Sequence, residues 1–100
     1  MTINYKLNVV TTTPYLIKPT DELVFVNVPS ASSVVLPAIA GGKNTGYYIK
    51  DYSGNASVNP IFITASGGAT INGVSFAILN VNFSHIQVVW DGANWQTLTN

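Results

Sequence analysis

Chain breakers recur about every ten residues along this sequence, too often for stable helices to form between them. Pro14, Pro19, Pro37 and Pro60 interrupt it, as do Gly41-Gly42, Ser53-Gly54-Asn55, Gly67-Gly68, Gly73 and Gly92. The runs between the breakers are rich in Val, Ile and Thr, which together number 31. These side chains are stiff at χ1 and suit a pleated surface. No window of about 11 residues combines good helix formers with apolar spacing at i, i+3, i+4 and i+7.

The pattern predicts about ten short strands. They run from Tyr5 to Val10, Tyr15 to Ile17, Glu22 to Val28, Ser33 to Leu36 and Tyr47 to Asp51. The rest run from Ile61 to Ile63, Ala69 to Asn72, Phe76 to Leu79, His85 to Trp90 and Asn94 to Leu98. Ala38 to Asn44 reads as a loop. In the third run Leu23, Phe25 and Asn27 point one way and Val24, Val26 and Val28 the other. Tyr47 and Tyr48 likewise face opposite sides. Asp91-Gly92 sets a hairpin in which Trp90 and Trp95 meet across the strands. Short strands with regular turn signals predict an all-β, antiparallel sandwich, barrel or prism. The expected organisation is one domain over residues 13–100, with residues 1–12 as a docking arm or edge strand. No internal repeat is legible.

Charge is scarce: 8% of the 100 residues, four basic and four acidic, net zero, with no arginine. An ordinary soluble domain carries about 25%. Four scattered lysines do not neutralise a phosphate backbone, so nucleic acid is not an expected partner. Cysteine is absent, which excludes disulfides, thiolate zinc sites and a cysteine nucleophile. No apolar run approaches the roughly 18 residues of a membrane helix. Met1 to Lys6 lacks the basic start and apolar stretch of a secretory signal. Solubility rests instead on Asn, Ser, Thr and Gln, 31 residues in all. Near-zero charge favours association, so much of the surface is expected to be covered by further copies or by a partner.

Catalytic groupings are not apparent, and no cofactor is expected. His85 is the single histidine and reads as a surface residue at a strand edge. Asp21 and Glu22 are adjacent, so on a strand they diverge rather than converge on one substrate. Gly41-Gly42-Lys43-Asn44 lacks the spacing of a phosphate loop. Asp51, Ser53 and Asn55 occupy positions one, three and five of a calcium-loop pattern, but Phe62 stands where its last acidic ligand belongs. An Asx-type turn is the expected reading. Tyr47, Tyr48 and Tyr52 offer flat area with a polar tip, suited to core packing, to interfaces and to sugars.

Several stretches, taken in order, resemble a family. They are Tyr15-Leu16-Ile17, Asp21 to Asn27, Val34-Val35-Leu36-Pro37, Gly46 to Asp51, Ser53 to Ala56, Asn59 to Ile63, Gly67 to Gly73 and Val88 to Trp95. The most specific are Ile49-Lys50-Asp51 with Ser53-Gly54-Asn55-Ala56 and Asn59-Pro60-Ile61, and Gly67-Gly68 with Thr70-Ile71 and Gly73. The chain resembles the small β-rich modules of tailed-bacteriophage virion proteins: tail fibres, spikes, head fibres and capsid-decorating proteins. Where that pattern has Asp before the last glycine, this chain has Asn72.

The resemblance implies a non-enzymatic virion part, made in the host cytoplasm and often trimeric. A homotrimer also fits the scarcity of charge, with Val24, Val26, Val28, Tyr47, Tyr48 and Tyr52 as expected interface residues. With its own Met1 and no shaft or attachment domain in view, the expectation is a short capsid decoration, cement or head-fibre protein. Its partners would be its own copies and the major capsid protein or another virion protein. The alternative is a tail-tip receptor module contacting a host surface glycan. A depolymerase fragment would need a placed carboxylate pair.

Overall fold

A computed structural model describes residues 6–39 and 45–98. It is all-β, with nine strands among the described residues. These are β1 (Leu7–Val10), β2 (Tyr15–Leu16), β3 (Leu23–Val26), β4 (Ser32–Leu36), β5 (Thr45–Asp51), β6 (Ile61–Ala65), β7 (Phe76–Leu79), β8 (His85–Trp90) and β9 (Trp95–Leu98). They form a five-stranded sheet in the order β1-β3-β5-β8-β9 and a four-stranded sheet in the order β2-β4-β6-β7.

The pairing corrects the antiparallel expectation. β1, β3 and β5 run parallel in one sheet, and β2, β4 and β6 run parallel in the other. Only the last three strands add antiparallel ladders, β7 on β6, β8 on β5 and β9 on β8. Parallel neighbours need a long crossover, usually a helix. Here each crossover is a strand of the opposite sheet, so the chain crosses between sheets five times before it turns back at β6.

This winding is a repeat that the sequence conceals. Leu7, Leu23 and Tyr48 stand at one register level, and Tyr15, Val34 and Ile63 at another. The spacing between equivalent residues is uneven because the connecting loops differ in length.

Alternation places one face of every strand inside. Val24, Val26, Tyr47, Ile49, Ile86, Val88, Trp90 and Trp95 come from the larger sheet, and Val34, Leu36, Ile61, Ile63 and Leu79 from the smaller. All belong to one buried cluster. Trp90 and Trp95 pair directly, ring centroids 5.3 Å apart and edge to face, as expected. Asp91 closes the hairpin by accepting from the Ala93 and Asn94 amides, each at 2.9 Å.

Ala69 to Asn72 does not form the expected strand. Ile71 instead makes isolated bridges to Val74 and Trp95. Asn72 and Gly73 both take positive φ, 52° and 81°, and Ile71 and Val74 exchange both backbone hydrogen bonds. That is a two-residue hairpin turn of the Asn-Gly kind. The dipeptide was present in the sequence as its own signal. Leu7–Val10 forms an edge strand of the larger sheet, whereas Met1 to Tyr5 and the Gly41 to Asn44 loop lie outside the described residues.

Burial predicts where truncation matters. Ile63, fully enclosed between β4 and β7, is expected to cost about 2–5 kcal/mol as Ile63→Ala. Leu16→Ala, at an exposed sheet edge, should stay within about 0.5 kcal/mol of the parent. Urea unfolding followed by tryptophan fluorescence measures both.

Candidate interaction surface

The outward side of each strand should be polar if water covers it; here many outward positions are apolar, beside a few polar ones. On the larger sheet the register aligns Leu7, Leu23, Tyr48, Gln87 and Leu98 in one outer row. The neighbouring row holds Val9, Phe25, Lys50 and His85. Tyr52 stacks on Phe25 with centroids 5.7 Å apart. Leu7, Val9, Tyr48, Tyr52 and Leu98 are all exposed, from 39% for Tyr48 to 57% for Leu98.

The smaller sheet repeats the pattern. Leu16, Val35, Thr64 and Phe76 form one outer row, and Ser33, Phe62 and Ile78 another. Phe62 and Phe76 lie 6.0 Å apart, ring to ring. Both sheets therefore carry apolar rows on their outer sides. Near-continuous apolar strands such as Leu23-Val24-Phe25-Val26 are typical of parallel sheets covered on both faces. Apolar patches of this extent mark interaction sites.

The six expected interface residues divide between inside and outside. Val24, Val26, Val28 and Tyr47 lie in the chain's own core, so they have no surface to present to another copy. Their place on the outer face is taken by their strand neighbours Leu23, Phe25 and Tyr48. The alternation named the two sides of the strand; which side was inward depended on the opposite sheet. Tyr48 and Tyr52 are exposed on the larger sheet's outer side. Leu7, Val9 and Leu98 are exposed on the same outer side, and Phe76 and Ile78 on that of the smaller sheet. Their rows assemble residues far apart in sequence.

The charged residues are mostly engaged. Asp21 accepts from the Tyr15 hydroxyl and from the Lys18 amide. Burial, and then the Asp21 hydrogen bond, push the Tyr15 phenol up to about 12. Glu22 accepts from the Lys6 amide at 3.1 Å. Lys50 donates to the Phe83 carbonyl at 2.8 Å, and its ammonium lies 5.9 Å from the Phe83 ring centre. His85 is exposed at the start of β8, opposite Lys50. Among the described residues no three of His, Asp and Glu gather into a metal-sized group.

Asp51 is the buried acid, at 2% exposure. Its Oδ1 accepts from the Ser53 hydroxyl at 3.0 Å and the Gly54 amide at 3.2 Å. Its Oδ2 accepts from the Ala56 amide at 2.9 Å and the Phe83 amide at 3.0 Å. Both oxygens thus serve the protein, and the segment is the expected Asx-type turn. Burial alone would raise this carboxyl; the donors from Phe83, Ala56, Ser53 and Gly54 outweigh it and hold it below its ordinary 3.8. Gly54 is required here, because it has φ +79° and a Cβ would meet the Phe83 ring at 2.2 Å.

No protein-family model matches this chain, and a comparison with curated proteins finds no relative.

The Asp51 node carries a pH prediction. Its folded value is depressed, so its contribution is complete above 3.8 and drains as pH falls below that value. Asp51→Asn offers one acceptor oxygen to four donors and turns its NH2 toward two N–H groups. It should cost about 2–3 kcal/mol at neutral pH. Thermal melts from neutral to acid pH should show the variant's stability falling less steeply than the parent's below 3.8.

Proposed function

We propose that this chain is a non-enzymatic structural protein of a bacteriophage virion, a capsid decoration, cement or head-fibre protein acting as a homotrimer. The observation that carries the reading is the apolar outer side of the larger sheet, Leu7, Leu23, Tyr48 and Leu98 in one row beside Val9 and Phe25. A monomer holding this surface in water, with net charge zero, has little to keep its copies apart. Association through the face removes it from solvent, and a closed cyclic ring leaves no such face to propagate. The resemblance of Ile49 to Ile63 and Gly67 to Gly73 to phage virion modules supplies the virion setting.

The mechanism is avidity. Each subunit contributes a weak contact to the shell, and three contacts on one rigid ring reinforce one another. The partner is the major capsid protein or another virion protein. The sandwich assignment belongs to the same reading: two sheets share one core, and the outer face of the larger one is turned to a neighbouring copy.

Molar mass by light scattering behind a sizing column tests the assembly. The parent should run near three chains of 10.7 kDa each. Tyr48→Lys places a charge in the outer row of the larger sheet and should return the mass to one chain, while Phe76→Lys on the smaller sheet should leave the assembly intact. A parent that is monomeric at micromolar concentration overturns the preformed trimer. Particle composition tests the role. A decoration protein is present in many copies and its removal weakens the shell to heat, whereas a receptor module is present in few and its purified form blocks adsorption.

A further inference from the structure

Strand β9 ends the larger sheet, and its outer edge is met by the segment between β6 and β7. The Trp95 amide donates to the Thr70 carbonyl and the Asn72 amide to the Trp95 carbonyl, each at 2.9 Å. At the next rung the backbone turns away through Asn72-Gly73, and the Asn72 side chain takes its place. Its Oδ1 accepts from the Thr97 amide at 3.0 Å, and its Nδ2 donates to the Thr97 hydroxyl at 2.7 Å. A side-chain amide thus covers a strand edge of the kind that templates pairing with other chains.

The same residue is open to a covalent change. Asn72 is the one asparagine of the chain that precedes a glycine. A glycine amide nitrogen carries no side chain beside it to hinder attack on the preceding side chain. A Cβ built on Gly73 would meet nothing within 4 Å, so the turn stands clear of packing that would block a ring closing there. The Gly73 nitrogen bonds to Asn72 Cγ, the Cγ–Nδ2 bond breaks, and ammonia leaves a five-membered succinimide. Solvent water opens that ring at either carbonyl, giving aspartate or isoaspartate. One water is consumed and one ammonia released, with no oxidation.

The fold holds this reaction back. Attack rehybridises Cγ and takes the amide out of its plane, which the two hydrogen bonds to Thr97 resist. The products differ in what they leave at the edge. Aspartate keeps an acceptor for the Thr97 amide but loses the donor to the hydroxyl. Isoaspartate adds a methylene to the backbone of a two-residue turn, across which Ile71 and Val74 exchange hydrogen bonds at 2.8 and 3.0 Å. That turn geometry is set by its residue count and does not absorb the insertion.

We propose that Asn72 is a site of spontaneous deamidation, restrained in the folded chain by its paired hydrogen bonds to Thr97, and that isoaspartate there uncovers the edge of β9. The proposal depends on neither the trimer nor the virion setting, since every residue in it belongs to one chain.

Purified protein is aged at mildly alkaline pH, folded and in urea, and its peptides are followed by mass spectrometry with fragmentation that separates aspartate from isoaspartate. The peptide holding Asn72 should convert ahead of every other asparagine, and faster in urea than in the folded chain. Thr97→Val keeps the backbone N–H and removes the hydroxyl acceptor. It should speed conversion of the folded chain about fivefold, the worth of one hydrogen bond, and leave the rate in urea unchanged. Hydrogen exchange reads the edge: the Thr97 amide should exchange faster in the isoaspartate form than in Asn72→Asp, which retains the acceptor. The proposal is overturned if another asparagine converts first, if Asn72 converts as fast folded as in urea, or if folded Thr97→Val ages at the parent rate. An unchanged Thr97 amide in the isoaspartate form overturns the uncovering of β9. The parent's folded and urea rates decide the restraint even where the variant does not fold.

Discussion

Parallel neighbours cannot be joined by a tight turn, and the rest of this structure follows from how the chain meets that constraint. Among the described residues there is no helix to use as a crossover. The chain uses the opposite sheet instead. Each return strand is also a structural strand, so every crossing adds to the shared core. The antiparallel strands β7, β8 and β9 then complete the two sheets. β5 holds the centre of the larger sheet, parallel to β3 on one side and antiparallel to β8 on the other.

That central position explains the Asp51 node. β5 ends at Asp51, and the chain must leave for the smaller sheet while the segment before β8 comes close. A buried carboxylate accepts from both segments at once, from Ser53, Gly54 and Ala56 on one and from Phe83 on the other. Lys50, its neighbour on the opposite side of the strand, binds the Phe83 carbonyl from the outer surface. One short loop is thus clasped through both its amide and its carbonyl. The residue pattern that invites a metal reading is satisfied by the chain's own donors.

The inward side of β3, Val24 and Val26, is apolar because it builds the core, and its outward side, Leu23 and Phe25, is apolar as well, whereas β5 sets Lys50 beside Tyr48 on the outer side and buries Asp51 at its end. A protein poor in charge builds its core easily but has little charge on its surface to keep such faces apart in water.

The sequence by itself determined the local elements. χ1-stiff residues and regular breakers specify short strands, Asp91-Gly92 specifies the last hairpin, and Asp51-Ser53 specifies an Asx turn, because each depends on only a few adjacent residues. Alternation also separated Val24, Val26 and Val28 from Leu23 and Phe25, and Tyr47 from Tyr48. Which of those two sides was the core, and whether the strands ran parallel, only the tertiary structure decided. Parallel and antiparallel strands share one side-chain period, and the loop lengths that disguise the winding leave no regular interval in the sequence. The row Leu7-Leu23-Tyr48 is likewise a product of register between distant segments, which no local pattern encodes.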